Sequence, residues 1–297
     1  MSPHDAWTEH HASCLKFSQT RQTAKILLAN VKNHPHLAHW IRNGRALCAA
    51  FLLALSPVLA ADELLRLTTR PEISVPVFYM PRPGASATIL LLPGGAGSFG
   101  TLVDGQPTGR NFLVRERERF AAAGFNVAIV GRPTDIPDLD TGIRTGQAHL
   151  ADLREIVSAL KAKDGLPIWL VGTSRGTVSA TAAAIAFGEE LAGIVLTSSI
   201  LAYKLPGAVP RQDLAAIRIP VLMVHHADDA CWACRAYEAP AVIKALKQAP
   251  ARQLQLVSGG GPVSGDACEP FHHHGFIGIE EEVIQRITTW IRHPRHD

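Results

Sequence analysis

Ile168-Trp-Leu-Val171, then Gly172-Thr-Ser174-Arg-Gly176, then Thr177-Val-Ser-Ala-Thr-Ala-Ala-Ala-Ile-Ala186 follow one another without a break. The opening four residues are apolar, as a strand covered on both faces must be. The closing ten are small and suit a helix packed close against that strand. Between them, two glycines flank a serine and leave room for a tight, strained turn. Such a turn lifts the serine hydroxyl above the sheet edge. The helix behind it aims free N–H groups and a positive dipole end at any charge that develops there. The pattern G-x-S-x-G alone is a common chance match. A strand before it and a helix after it make it a candidate site rather than an ordinary β–α turn.

The rest of the chain extends this alternation. Strands are expected at 73–79, 88–92, 126–130, 168–171, 194–197, 221–225 and 253–257. Helices are expected near 110–123, 147–163, 177–187, 240–248 and 280–292. Leu150, Leu153, Ile156, Val157 and Leu160 share one helical stripe. Val283, Ile284, Ile287, Trp290 and Ile291 share another, with Glu280–Glu282 at the end that favours negative charge. Alternating β and α over this length predicts an α/β fold: a mostly parallel central sheet with helices on both faces. Residues 62–297 suffice as one domain.

Composition agrees and excludes. The 297 residues are 47% hydrophobic and 19% charged, enough for a sizeable core and too apolar for a disordered chain. Residues 1–61 hold six basic and two acidic residues; the remainder holds 23 and 24. A nearly neutral body gives no electrostatic reason to expect a nucleic-acid partner. Within the first part, Arg42 and Arg45 precede the apolar run 46–61, which ends Val58-Leu-Ala-Ala61 before Asp62-Glu63. A basic start, a short apolar centre and a small-x-Ala end read as a signal peptide over 41–61. The run is shorter than the roughly 20 residues a bilayer span needs, and Pro57 breaks it. Residues 62–297 are therefore expected in the periplasm or secreted, with no stable membrane anchor after cleavage. Residues 1–40 read as a disordered extension or a start-site artefact.

With the serine at 174, the sequence resembles the α/β-hydrolase superfamily, in which an acid follows a later strand and a histidine comes last. Val221-Leu-Met-Val-His-His226-Ala-Asp228-Asp229 ends a strand in that manner, with His226 where the family often has glycine. Phe271-His-His-His274-Gly275-Phe276 matches the family's His-Gly-Phe before a final helix. The resemblance implies Ser174 as nucleophile, Asp229 as acid (Asp228 ranking second) and His274 as base. Serine needs a base to take its proton, and that base needs a buried carboxylate to fix its tautomer. An oxyanion hole is implied at the N–H of Arg175 and at the loop Pro93-Gly-Gly-Ala-Gly97, where Gly95 ranks first and Ala96 second. No Lys-Ser/Thr pair follows that loop, which disfavours a phosphate cradle. The resemblance also carries the form Asp-x-Cys with a later cysteine before His-Gly-Phe. It implies a disulfide between Cys231 and Cys268, with Cys234 the rival partner.

Other polar groups weigh less. The pairs His225-His226 and Cys231-x-x-Cys234 and the run His272–His274 lack a zinc pattern, so neither metal nor cofactor is expected. Arg144 reads as solvated and His149 as capped. Leu201, Tyr203, Leu205 and Trp232 are candidate pocket residues. Only 23 residues separate the strands ending at 197 and beginning at 221, too few for a large lid. The reading that follows is a serine hydrolase acting on an ester, amide or thioester of a small-molecule substrate. A non-catalytic binding protein on the same fold is the alternative. Oligomeric state is not legible.

Overall fold

The structure, a computed structural model, describes residues 61–296. The described residues all lie in one compact unit. The signal-peptide expectation and the 1–40 extension fall outside them. No helix among the described residues is long and apolar enough to cross a membrane.

Eight strands form one sheet: β1 (Glu63–Arg70), β2 (Ile73–Met80), β3 (Thr88–Leu92), β6 (Asn126–Val130), β7 (Ile168–Thr173), β8 (Gly193–Thr197), β9 (Val221–His226) and β10 (Arg252–Val257). Their order across the sheet is β1-β2-β6-β3-β7-β8-β9-β10. The first three neighbours pair antiparallel, and every pair from β6 to β10 is parallel. Two short strands, β4 (Leu102–Val103) and β5 (Gln106–Pro107), make a separate hairpin.

The helices are α1 (Phe112–Arg115), α2 (Arg117–Ala122), α3 (Gln147–Asp164), α4 (Gly176–Phe187), α5 (Ala239–Ala245) and α6 (Glu280–Arg292). Successive strand residues alternate between the two sheet faces. Leu90 and Leu92 of β3 join a core formed with Leu153, Ile156 and Leu160 of α3 and Ala180 and Ala183 of α4. Ile89 and Leu91 face the opposite core, with Phe112, Phe120 and Val283, Ile287 and Trp290 of α6. Trp290 meets Trp169 of β7 edge-on at 5.9 Å. This two-sided burial is why the strands read as continuous apolar runs.

Sequence reading missed β1 and the small hairpin and merged α1 with α2. In β1, Leu65 and Leu67 pack on one core and Leu64 on the other, all only partly buried because the strand lies at the sheet edge, and partial burial leaves a weak pattern. Helices α1 and α2 break at Glu116, whose N–H caps back onto the Phe112 carbonyl. Between β3 and β7 the strand order reverses. In open α/β sheets the carboxyl ends of strands beside such a reversal form the ligand crevice.

Candidate active site

Strand β7 runs directly into the serine. Ser174 has a φ of 52°, a left-handed conformation that costs a non-glycine residue about 1–3 kcal/mol. The turn holds it there: Ser174 N–H donates to Thr197 O at 3.0 Å, and Thr177 Oγ1 donates to Ser174 O at 2.7 Å. Glycine is obligatory at 176, since a Cβ there would sit 1.9 Å from Leu92 O. That contact lets α4 start close against β3. At Gly94, a Cβ would come within 2.8 Å of the Ser174 Cβ, so the loop after β3 lies against the serine.

Asp229 follows the end of β9, and His274 sits in a 3₁₀ turn, His273–Gly275, ahead of α6. His274 Nδ1 and Asp229 Oδ2 are 2.9 Å apart, with both side chains buried. The other carboxylate oxygen accepts the Cys231 N–H at 2.9 Å. Ser198 Oγ donates to the His274 carbonyl at 2.8 Å, and Arg115 donates to Pro270 O and Gly275 O on either side of the base. Neither Ser198 nor Arg115 carries a motif that sequence reading could have used.

Asp228, by contrast, is exposed. His273 stacks on His226 at 4.2 Å, and His272 packs edge-on against His273. The departure at 226 has a structural account. The His226 ring accepts the Asp228 N–H at Nδ1 and donates to Gly259 O from Nε2, so it braces the turn itself.

Ser174 and His274 line one small cavity of about 160 Å³ with Gly94 and Gly95. No direct hydrogen bond joins their side chains; such contacts often tighten only when substrate binds. The N–H groups of Gly95, Ala96 and Arg175 donate to no acceptor among the described residues. A larger cavity of about 700 Å³ adjoins, sharing Gly95 and Ser174 and lined also by Ala96, Arg175, Leu205 and Trp232. An apolar chamber thus opens beside a serine, a buried Asp–His pair and three unspent donors.

No protein-family model matches the sequence, and no curated protein matches it. Solved structures do. An α/β serine hydrolase without a lid from Xanthomonas campestris is 16% identical, with a TM-score of 0.53 over 79% of this chain and 93% of that one. Dienelactone hydrolase from Anabaena variabilis is 15% identical, with a TM-score of 0.57 over 80% and 99%. A Pyrococcus furiosus esterase is 15% identical, with a TM-score of 0.58 over 79% and 93%. This chain has the α/β-hydrolase fold. At such identities the likeness fixes the fold and leaves the chemistry to the residues.

On this α/β-hydrolase fold, Cys231 and Cys268 are joined by a disulfide with Cα atoms 4.6 Å apart. The bridge links the loop of Asp229 to the loop of His274. Cys234 is free and buried, close to Ser174 and His274. Burial pushes its thiol well above the ordinary range, so it stays protonated and does not compete as a nucleophile. Cys231, Cys234 and His274 converge within 4.8 Å, but Cys231 is already spent in the bridge and offers no thiolate to a metal. His226, Asp228 and His273 also converge, yet two parallel stacked rings cannot both aim in-plane lone pairs at one ion.

Two sequence expectations need correction. Arg144 is not solvated but 2% exposed, and His149 is buried on α3 with its Nε2 2.9 Å from Ser179 Oγ. Arg144 lies under the loop after β3, which its local sequence does not reveal. Of the pocket candidates, Leu205 and Trp232 line the larger cavity and Leu201 is in the core. Tyr203 lines a neighbouring cleft that shares Trp232.

Proposed function

We propose that the protein is a serine hydrolase cleaving an ester of a small-molecule substrate, with Ser174 as nucleophile, His274 as base and Asp229 as its orienting acid. The observation that carries this reading is the buried Asp229–His274 pair facing one cavity with a serine at a φ of 52°. In the reaction, Ser174 Oγ attacks the acyl carbon while His274 Nε2 takes its proton. Asp229 holds Nδ1–H and stabilises the imidazolium. The tetrahedral oxyanion accepts hydrogen bonds from the N–H of Arg175 and of Gly95 or Ala96. His274 returns the proton to the leaving alcohol, and water then repeats the sequence to free the acid.

An ester is favoured over an amide or thioester by the esterases among the structural neighbours and by the open site. Between β8 and β9 lie only two short 3₁₀ turns, Val209–Arg211 and Leu214–Ala216. We further propose that residues 41–61 direct export, a reading the Cys231–Cys268 bridge supports because disulfides persist in oxidising compartments. A mature N-terminus at Ala61 or Asp62, found by mass spectrometry, is the expected result. A cytosolic chain beginning at Met1 rejects export.

The decisive experiment is labelling with a fluorophosphonate probe. The wild type is expected to label and Ser174→Ala to remain blank. Equal labelling of both, or of neither, favours a binding protein instead.

A further inference from the structure

Arg144 is a buried cation with no ion pair to a carboxylate among the described residues. Its donors go elsewhere. Nε donates to Leu139 O at 2.8 Å and Nη1 to Ser179 Oγ at 3.0 Å. Nη2 donates to both Pro93 O and Gly95 O at 3.2 Å. The two carbonyls belong to the loop that flanks Ser174. Burying an arginine without a counter-ion is expensive, and truncating it would leave these carbonyls unsatisfied. Fold stability alone could be met by an apolar side chain of similar volume. The four directed bonds call for another account.

That account lies in the peptide planes. A trans peptide points its C=O and the next residue's N–H in opposite directions. Holding Gly95 O against Arg144 therefore turns the Ala96 N–H away from the arginine. Gly97 N–H holds Gly94 O at 3.0 Å and does the same for the N–H of Gly95. Leu139 N–H takes up Ala96 O at 3.2 Å. Every carbonyl from Pro93 to Ala96 is thus tied down, while the N–H groups of Gly95 and Ala96 stay unspent beside the serine. The positive charge lies directly behind them. Asp138 and Asp140 keep it partly balanced, and Arg175 opposes it.

Building on the hydrolase reading above, we propose that Arg144 is a positioning residue for the oxyanion hole: it locks the 93–96 loop so that two backbone donors stand ready, and it backs them with a buried charge. Ser179 on α4 completes the clamp, supporting the guanidinium at Nη1 and accepting company from His149 on its other side. Preset donors of this kind need no reorganisation as the oxyanion forms, and their loss falls on the transition state rather than on ground-state binding.

The test compares Arg144→Lys, Arg144→Met and Ser179→Ala with wild type on p-nitrophenyl acetate, with active sites counted by fluorophosphonate labelling. For Arg144→Lys and Arg144→Met, kcat per labelled site is expected to fall about 10²-fold with KM changed less than threefold. Ser179→Ala, a small change on an alanine-rich helix, is expected to lower kcat severalfold at unchanged KM. A purely structural arginine would lower the melting temperature and the number of labelled sites but leave turnover per labelled site intact. That result in either Arg144 variant overturns the proposal. If neither folds, full turnover per site in Ser179→Ala overturns it. A wild type that labels no more than Ser174→Ala removes the hydrolase reading first, and this proposal with it; the two failures are therefore distinct.

Discussion

Asp229 Oδ2 lies 2.9 Å from His274 Nδ1, with the acid side chain fully shielded from solvent and the base almost so. Shielding strengthens the interaction. Three histidines stand in a row at 272–274, and the turn delivers one of them to the carboxylate.

That selection predicts a steep ranking. Ser174→Ala or His274→Ala is expected to lower kcat by about 10⁴-fold or more, measured on an ester that the wild type hydrolyses. His272→Ala and His273→Ala should stay within about tenfold. Asp229→Asn should be far worse than Asp228→Asn; the opposite order would place the acid one residue earlier.

The bridge between the acid and base loops predicts a coupled loss. Cys231→Ser is expected to remove roughly 2–4 kcal/mol of stability and to reduce activity with it. Non-reducing peptide mapping should recover Cys231 joined to Cys268 and Cys234 free. A Cys234–Cys268 peptide would refute the pairing.

Two buried histidines predict how stability depends on pH. Burial holds His149 down to about 3, with Arg144 and Arg70 adding to the effect, and holds His225 down to about 4. Unfolded, each takes up a proton near pH 6.5, so below that pH the unfolded chain binds more protons. Stability should therefore be flat from these groups above about pH 6.5 and fall toward pH 4, by about 1.4 kcal/mol per unit for each ring. Melting temperatures at pH 7.5 and 5 test this. His149→Gln should flatten the slope, and an unchanged slope would count against the neutral ring.

Close backbone contact predicts intolerance at one glycine. Gly176→Ala places a methyl 1.9 Å from Leu92 O, where neither α4 nor β3 can yield. Loss of soluble protein or of labelling is expected. Gly105→Ala meets open space, at a φ of 76°, and should cost about 1–2 kcal/mol from the backbone alone. Equal behaviour of the two in thermal melts would contradict the packing of the elbow.

Most of the sheet and the turn at Ser174 were legible in the sequence, because both rest on short-range rules. Strands buried on both faces must be apolar throughout, so β3, β6, β7, β8 and β9 are legible. A strand–Gly-x-Ser-x-Gly–helix junction carries its own geometry. The forms at 221–229 and 271–276 made Asp229 and His274 legible as candidates, and the structure brings the two within 2.9 Å. What decided Arg144 was tertiary structure alone. Two of its partners are backbone carbonyls about 50 residues away, and a backbone acceptor leaves no mark in the sequence. The same holds for Ser198 and Arg115, which donate to main-chain carbonyls at and beside His274. Edge strand β1 escaped for the converse reason: with little to bury, its residues had no pattern to keep. Local rules fixed the elements that hold the site, and long-range packing onto main-chain atoms set the angles at which its groups meet.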